Sequence, residues 1–398
     1  MNILYVSSLA SEKLVSDIYF KTKANPGFAV QKFTRLLVKG LAKNDVPVIS
    51  LSNPPINNAY NDRLWVSLGT ETEEDIKYKY MPFINLPVLK HICIFFYSFF
   101  YVLGCGLKQR KNTAIVCDVL CISSSMGSLL ASKLSGLHSV AIITDIYDQM
   151  VGLQTRGLKT VIKKLAGILN RKYVGSFDKY VLLTEAMNEK VNPKQRPFIV
   201  MEALCDEELS DDVFAPTTKS LPKVIMYAGG LEERYGLKML VQAFKTIPDD
   251  NIELHLYGSG TYVEELIGET EADRRIKFWG VRSNKDIVEA ESKATLLVNP
   301  RFTTEEFTRY SFPSKNMEYM VSGTPVLTTK LPGMPSEYYP YVYLIEDETV
   351  DGFASAMSSI LQLPSEIMQR KGLAARNFVL REKNNIRQGG RIMNLIIE

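Results

Sequence analysis

The stretch Tyr310–Gly323, YSFPSKNMEYMVSG, lies between two short apolar runs, Thr295–Asn299 and Pro325–Thr329. We expect the two runs to form strands, and Lys315–Ser322 to form the helix that connects them. A strand, a helix and a second strand in this order are the unit from which a parallel α/β sheet is built.

The same alternation continues on both sides of this stretch. Towards the N-terminus, strands are expected at Asn2–Val6, Val46–Leu51, Ala114–Ile122, Val140–Thr144, Tyr180–Leu183, Val224–Ala228, Glu253–Tyr257 and Lys277–Trp279. Helices are expected between them, and Gly352–Leu361, Ser365–Asn385 and Arg391–Ile397 follow. A Pro- and Thr-rich segment at 214–222 has the composition of a linker. We therefore predict two Rossmann-like domains, 1–216 and 217–398, facing each other across a cleft, with the last helix a candidate to pack back on the first domain.

Composition and charge exclude several classes of protein. The 398 residues include 47 Lys and Arg against 44 Asp and Glu, so the net charge of +3 does not favour a nucleic-acid partner. Five cysteines in mostly apolar runs indicate reduced, buried thiols, and no His or Cys pattern predicts a metal site. The opening run MNILYVSSLA has the pattern of a buried strand and not of a leader, so we expect a cytoplasmic protein.

Two glycine turns follow predicted strands and are candidates to approach a ligand. Gly229 and Gly230 precede a helix whose start could hold a phosphate, and Gly258 lies in the turn Tyr257–Gly260. Either turn could equally be a plain tight turn, because a single glycine pair is a weak signal.

The start of the helix after Pro313 carries the sharpest chemical hint. Pro313 suits the first helical position, with Phe312 as N-cap. Lys315 in the first turn opposes the helix dipole, a conflict that an anion bound beside Ser314 would resolve. Glu318 could accept hydrogen bonds from the vicinal hydroxyls of a ribose, or it could simply pair with Lys315.

The second half of the chain resembles the retaining glycosyltransferases of family 4, which have the GT-B architecture. YAGGLEERYGLKMLVQAFKTI (227–247) is similar to their glycine turn and helix, and IELHLYGSG (252–260) to their next strand and turn. IKFWGVRSNKDIVEA (276–290) resembles the segment that covers the base, and SFPSKNMEYMVSGTPVLTTKLPGMPSEY (311–338) the diphosphate- and ribose-binding helix. In the first half, VLLTEAMNEKV and PFIVMEALCD resemble the last N-terminal elements of the family.

The resemblance implies transfer of a hexose from a nucleotide-diphosphate sugar, with retention at the anomeric carbon and without a metal or other cofactor. It implies a lipid-linked or glycan acceptor in the synthesis of a surface polysaccharide. It places the base near Gly258 and Val281, the diphosphate near Gly229, Gly230 and Ser314, and a donor loop at Gly27. At the end of the strand HSVAIIT it offers Asp145 as a catalytic-region acid, with Asp148 nearby, although Asp145 could instead cap the next helix.

The chain departs from the family pattern at three positions. Tyr310 stands where a sugar-binding glutamate is usual, so we expect this residue to contact the reacting sugar differently. Gly230 stands in the place of an arginine, and Tyr235 in the place of a lysine. The replacement cations are to be sought among Arg234, Arg301, Arg309 and Lys315, with Lys315 first.

Two segments predict contact with an anionic surface at the inner face of the cell membrane. Residues 157–173 have the pattern of a basic amphipathic helix, and residues 92–107 form an apolar run of 16, short of the roughly 20 residues that span a bilayer. The segment 157–173 could equally cover the sheet with a solvated outer face.

Two other functions fit the same architecture. A nucleotide-sugar epimerase needs acid and base groups at its site, which the three histidines of this chain suit poorly. A glycosyltransferase-like subunit without catalysis remains open, because the departures above affect family positions and a fold does not guarantee activity.

Overall fold

The computed structural model of the chain describes residues 1–74, 76–146, 167–210 and 221–398. Two compact units are present, one formed by Met1–Leu204 with Asn384–Glu398 and the other by Cys205–Lys383. Asp148, most of 157–173 and most of the linker 214–222 lie outside the described residues.

The N-terminal unit is built on a mainly parallel sheet. Its strands are β1 (Asn2–Ser7), β2 (Val48–Ser52), β3 (Trp65–Val66), β4 (Thr70–Glu73), β5 (Ile76–Tyr80), β6 (Phe83–Ile84), β7 (Thr113–Asp118), β8 (His138–Ile143), β9 (Lys179–Leu182) and β10 (Phe198–Val200). In the described part of this unit, eight strands pair in the order β10-β9-β8-β7-β1-β2-β5-β4, and only β4 is antiparallel to its neighbour. β3 and β6 form a separate antiparallel pair.

The unit also contains helices. They are Glu12–Thr22, Phe28–Ala42, Pro87–Gln109, Ile122–Ser135, Met187–Val191 and Asn385–Ile397, with a 3-10 turn at Arg110–Asn112. Residues 167–174 are also helical. β7 is buried along its whole length and β1 from Ile3 onwards, because helices cover a parallel sheet on both faces.

The C-terminal unit is a second parallel sheet. Its strands are β11 (Lys223–Gly230), β12 (Ile252–Ser259), β13 (Ile276–Gly280), β14 (Leu296–Asn299), β15 (Val326–Thr329) and β16 (Tyr343–Ile345). Over residues 221–383 they pair in the order β13-β12-β11-β14-β15-β16. The α-helices are Leu237–Lys245, Val263–Ala272, Asn284–Lys293, Ser314–Val321, Val350–Leu361 and Ser365–Glu382; 3-10 turns span Glu207–Ser210, Glu233–Tyr235, Glu306–Arg309 and Ser336–Tyr341.

The final helix belongs to the N-terminal unit, so the division of the chain differs from the predicted domains 1–216 and 217–398. The units separate between Leu204 and Cys205 and again between Lys383 and Asn384. A Cβ atom added at Gly40 would lie 1.9 Å from the carbonyl oxygen of Asn385, so helices Phe28–Ala42 and Asn385–Ile397 touch through their backbones. Only glycine permits this approach.

The apolar helix Pro87–Gln109 is longer than the 16-residue run that predicted it. It has 23 residues, and by length and composition alone it could cross a membrane. Only 17% of its most apolar 18-residue window is buried. One side packs on helix Ile122–Ser135, where a Cβ atom added at Gly127 would lie 2.3 Å from the carbonyl oxygen of Phe95.

Candidate functional site

The strand order of the C-terminal unit reverses between β11 and β14. Strands after β11 are added on one side as β12 and β13, and strands after β14 on the other as β15 and β16. In open parallel sheets a ligand binds outside the carboxyl ends of the strands at this reversal. The candidate site therefore lies beside Gly230, at the end of β11, and Asn299, at the end of β14.

Glycines allow the strand ends to come together at this edge. Gly258 has φ +129°, and a Cβ atom there would lie 1.8 Å from the carbonyl oxygen of Gly229. A Cβ atom at Gly236, which has φ +80°, would lie 1.9 Å from the carbonyl oxygen of Pro300. Gly229 and Gly230 were predicted to approach a ligand; Gly230 is exposed, and the hydroxyl of Tyr227 donates to its carbonyl at 2.9 Å.

Two buried polar contacts hold helix Ser314–Val321 against the strand ends. The backbone N–H of Ala228 donates to the hydroxyl of Tyr319 at 2.8 Å, and that hydroxyl donates to the carbonyl of Ala228 at 3.3 Å. Tyr319 is completely buried. The middle of the helix is thereby tied to β11.

The first turn of the same helix is tied to β14 and β15. The side-chain amide of Asn299 donates to Oδ1 of Asn316 at 2.8 Å, and Nδ2 of Asn316 lies 3.4 Å from Oγ1 of Thr328. All three side chains are buried, so each hydrogen bond offsets a desolvation cost that would otherwise be unmet. Asn316 was not among the predicted site residues, although a lone amide between Lys315 and Met317 on an otherwise apolar face was a usable signal.

The start of helix Ser314–Val321 has the character of an anion site. The helix begins at Ser314, with Pro313 at the N-cap, and not at Pro313 with Phe312 as cap as predicted. No side chain caps it, and its first turn contains no acidic residue. Ser314 is exposed. The partial positive charge of the helix start is therefore not neutralised by the helix itself.

Lys315 and Glu318 form an ion pair on the exposed side of this helix. Nζ of Lys315 lies 2.6 Å from Oε2 of Glu318, and both side chains are partly exposed. Of the two predicted roles of Glu318, a contact to ribose or an ion pair with Lys315, the structure shows the ion pair. Because the pair lies at the helix start, both groups remain within reach of a ligand placed there.

Two arginines meet around one aromatic ring at the reversal of the sheet. The guanidinium of Arg301 lies 4.6 Å from the ring centre of Tyr235, and that of Arg234 lies 5.2 Å from it. Phe307 packs edge-on against Tyr235, and its ring centre is 5.7 Å from the guanidinium of Arg301. Within the part of the chain that the structure describes, neither guanidinium is ion-paired with a carboxylate. Two cations without a counter-charge at a strand end can bind an anion.

The environment of Arg301 accounts for its electrostatics. Burial lowers the pKa of Arg301, and the nearby charge of Arg234 lowers it further. The loop that carries it is held by Glu348, whose carboxylate accepts from the backbone N–H of Thr303 at 3.0 Å. Thr329 also donates to the carbonyl of Arg301. These contacts hold the backbone that carries the Arg301 side chain.

Aromatic side chains lie near the carboxyl ends of β12 and β13. The rings of Tyr257 and Trp279 stack with centres 6.2 Å apart, and Trp279 is 42% exposed. Val281, which was predicted to lie at the base, follows β13 and is exposed. Gly258 lies at the end of the neighbouring strand.

Tyr310 is buried, with 7% of its surface exposed, and its N–H donates to the carbonyl of Phe307. Arg309 beside it is exposed. The burial of Tyr310 leaves little of the ring open to a sugar, so the structure does not support direct contact with the reacting atoms.

In the N-terminal unit, Gly27 has φ +83° and is the N-cap of helix Phe28–Ala42. The side chain of Asn25 accepts from the N–H groups of Gly27 and Phe28 at 2.8 and 3.0 Å. This turn fixes the loop in a conformation that glycine adopts readily.

An additional acidic residue, Asp118, lies where the strand order of the N-terminal sheet reverses, between β1 and β7. It is 6% exposed, and burial raises its pKa to about 6, with a further rise from the negative charge of Asp145. Asp145 follows β8, and partial burial raises its pKa as well. A lone carboxylate at the end of an apolar strand was the signal for Asp118.

Comparison with known proteins identifies the sequence pattern of the C-terminal unit. Residues 222–363 match the family model described as glycosyl transferases group 1. The search of curated proteins found no match.

Solved structures resemble the chain over its whole length. Sucrose-phosphate synthase from Thermosynechococcus elongatus is 16% identical with a TM-score of 0.63, covering 100% of this chain and 99% of its own. Anabaena HepE in complex with UDP is 14% identical with a TM-score of 0.63, covering 100% of both chains. The lipopolysaccharide outer core galactosyltransferase WaaB is 14% identical with a TM-score of 0.61, covering 100% and 99%. At these identities the likeness establishes the fold. The chain therefore has the fold of the GT-B glycosyltransferases, and its residues 222–363 carry the sequence pattern of the glycosyl transferases of group 1.

Proposed function

We propose that the protein transfers a hexose from a nucleotide-diphosphate sugar to an acceptor, with retention at the anomeric carbon and without a metal. The observation that carries the proposal is the arginine pair: Arg234 and Arg301 lie around Tyr235 without a carboxylate partner among the described residues. The nearby helix start carries Lys315 and no acid in its first turn. Cations and helix N–H groups are the means by which a protein stabilises a departing diphosphate.

The departures from the family pattern gain a physical explanation in this arrangement. Tyr235 stands in place of a lysine, but its ring brings two guanidinium groups to the strand end. The cationic charge is thus supplied by other residues held by an aromatic ring. In our proposal Arg301, Arg234 and Lys315 neutralise the diphosphate as the glycosidic bond to the sugar breaks.

The remaining parts of the donor are assigned by their chemistry. Glu318 is proposed to accept hydrogen bonds from the ribose hydroxyls, which would release Lys315 from the ion pair towards phosphate. The base is proposed to lie over the ends of β12 and β13, near Gly258 and Val281. UDP is the nucleotide in the HepE complex, and it is the first diphosphate to test here.

For the acceptor we propose a lipid-linked or glycan molecule of a surface polysaccharide pathway, handled in the cytoplasm at the inner face of the membrane. WaaB, which has the same fold, is a galactosyltransferase of the lipopolysaccharide outer core. Asp145 is proposed as the acid of the catalytic region, and Gly27 as part of the donor loop.

A second candidate function is a glycosyltransferase-like subunit that binds a nucleotide without turning it over. The burial of Tyr310, at the position of the usual sugar-binding glutamate, favours it.

The experiment is a thermal-shift screen of the purified protein against nucleoside diphosphates and their sugars, followed by NMR analysis of products from each sugar that binds. A ligand that binds the native state alone raises its apparent stability. Release of free nucleoside diphosphate with an α-configured product from an α-configured donor is expected. Binding without turnover would favour the subunit, and no shift with any diphosphate would refute the proposed site.

A further inference from the structure

Two apolar helices of the N-terminal unit lie side by side and run in the same direction. Nδ1 of His91 lies 3.0 Å from Oγ of Ser123 near the starts of helices Pro87–Gln109 and Ile122–Ser135. Near their ends, a Cβ atom added at Gly106 would lie 2.3 Å from Oγ of Ser135. Contacts in the same order along both helices require a parallel pair, and small residues make the pair close.

The first helix exposes a row of large apolar side chains. They follow one another at roughly helical spacing on the side away from buried Ile94, Ser98 and Val102: Val88, Ile92, Phe96, Phe100 and Leu107. Phe96 is 52% exposed and Phe100 63%. The two rings stack on each other with centres 6.3 Å apart, and the described residues of the unit leave about half or more of each side chain exposed. A core helix of this composition would be buried.

The second helix exposes a matching row. Its members are four residues apart: Ile122, Met126, Leu130 and Leu134. At 3.6 residues per turn, this row lies about 100° before the residues that contact the first helix. On the first helix, the exposed row lies about 100° after the residues that contact the second helix. Because the helices are parallel, both rows face the same side, and we call them together the two-row face.

The charged side chains that the two helices themselves carry have one sign. Neither Pro87–Gln109 nor Ile122–Ser135 contains Asp or Glu. Lys108 and Lys133 lie in the last turns of the two helices, and the guanidinium of Arg110, just after the first helix, reaches over Gly136. Burial, and then the charge of Lys194, lowers the pKa of Lys133, and the charge of Asp178 partly offsets this.

We propose that the two-row face docks on an anionic lipid bilayer, with both helices lying in the interface. Apolar side chains on one plane, bounded by cations at one end, match the acyl boundary and the anionic headgroups. The packing of the first helix on the second keeps it on the unit, so it lies on the membrane and does not cross it. The inference deepens the proposed function, because it brings the protein to a surface that holds lipid-linked acceptors.

The experiment measures co-sedimentation of the full chain with vesicles of phosphatidylglycerol and phosphatidylcholine, and with phosphatidylcholine alone, at low and high salt. The double variant Phe96→Ser/Phe100→Ser is compared with Phe20→Ser. Phe20 is a matched control, since it is 66% exposed on another helix of the same unit. We expect the parent and Phe20→Ser to bind anionic vesicles, and the double variant to bind at least about tenfold more weakly.

Three results would overturn the inference: no binding of the parent to anionic vesicles, equal losses in Phe20→Ser and the double variant, or an unbound parent that is a dimer and becomes a monomer in the double variant. The last result would assign the two-row face to a second copy of the chain. The thermal shift of each variant with UDP is recorded in parallel. It reports on folding and on the donor site, so failure of the proposed function is seen separately from failure of membrane docking.

Discussion

Lys315 and Glu318 form an ion pair, with 2.6 Å between Nζ and Oε2. The pair lies at the start of a helix that buried Asn316 and Tyr319 hold against three strand ends. A partly exposed pair of this kind contributes little to stability. Its conformation can therefore change when a ligand offers each partner a different contact.

We expect Lys315→Met to weaken binding of UDP by about tenfold, the size of one lost charge-assisted hydrogen bond, and to leave binding of uridine unchanged. Glu318→Gln should weaken the binding of both UDP and uridine, and it should reduce the preference for ribose over 2′-deoxyribose. Isothermal titration of the two variants with UDP, uridine and 2′-deoxyuridine diphosphate checks this. Equal affinities of parent and variants would show that the helix start is not the donor site.

Arg301→Met is expected to weaken UDP binding without lowering the stability of the protein. Removal of a partly buried cation that has no carboxylate partner among the described residues should leave the free protein as stable as the parent or up to about 1 kcal/mol more stable. The same change should weaken UDP binding at least about tenfold, because a charge-assisted contact is lost. Urea unfolding and isothermal titration measure the two effects. A loss of stability with normal affinity would assign Arg301 a structural role.

Asn316→Ala should destabilise the C-terminal unit by about 1–3 kcal/mol, because it leaves the amide of buried Asn299 without its acceptor. Asn299→Ala/Asn316→Ala, which removes both partners, should cost less than the sum of the single changes. Urea unfolding of the three variants completes the cycle. Additive losses would mean that the two amides act independently.

The pH dependence of stability should reflect Asp118. Its folded pKa of about 6 is above the ordinary value of 3.8, so the folded state binds more protons than the unfolded state between these values. Protonated Asp118 therefore contributes stability below pH 3.8, and this contribution is lost as the pH rises through about 6. The free energy of unfolding should fall by about 1–3 kcal/mol over this range. Asp118→Asn should flatten this decline and be more stable than the parent above pH 7. Thermal unfolding from pH 4 to 8 tests it, and an unchanged slope would contradict the assignment.

The alternation of strands and helices could be predicted because apolar spacing is a local property. β14 and helix Ser314–Val321, for example, begin within one residue of their predicted starts. Arg234 and Arg301 could be named as candidate cations, but their arrangement around Tyr235 could not be predicted. Arg301 and Tyr235 are distant in sequence and meet only because of the strand order. The predicted boundary at 216/217 lies after the division at Leu204/Cys205, because composition at 214–222 marks only a loop. The last helix was a candidate to pack on the first domain, and its close approach there depends on Gly40 and Gly389.

That returning helix has a consequence for how the protein is made. The N-terminal unit lacks Asn385–Ile397 until the ribosome has translated all of Cys205–Lys383. Lys179, buried in the first sheet, donates to the carbonyl of Leu395 at 2.6 Å, so its charge lacks this partner during that interval. The C-terminal unit has all of its own residues first, and the order in which the two units mature is expected to be the reverse of their order in the gene.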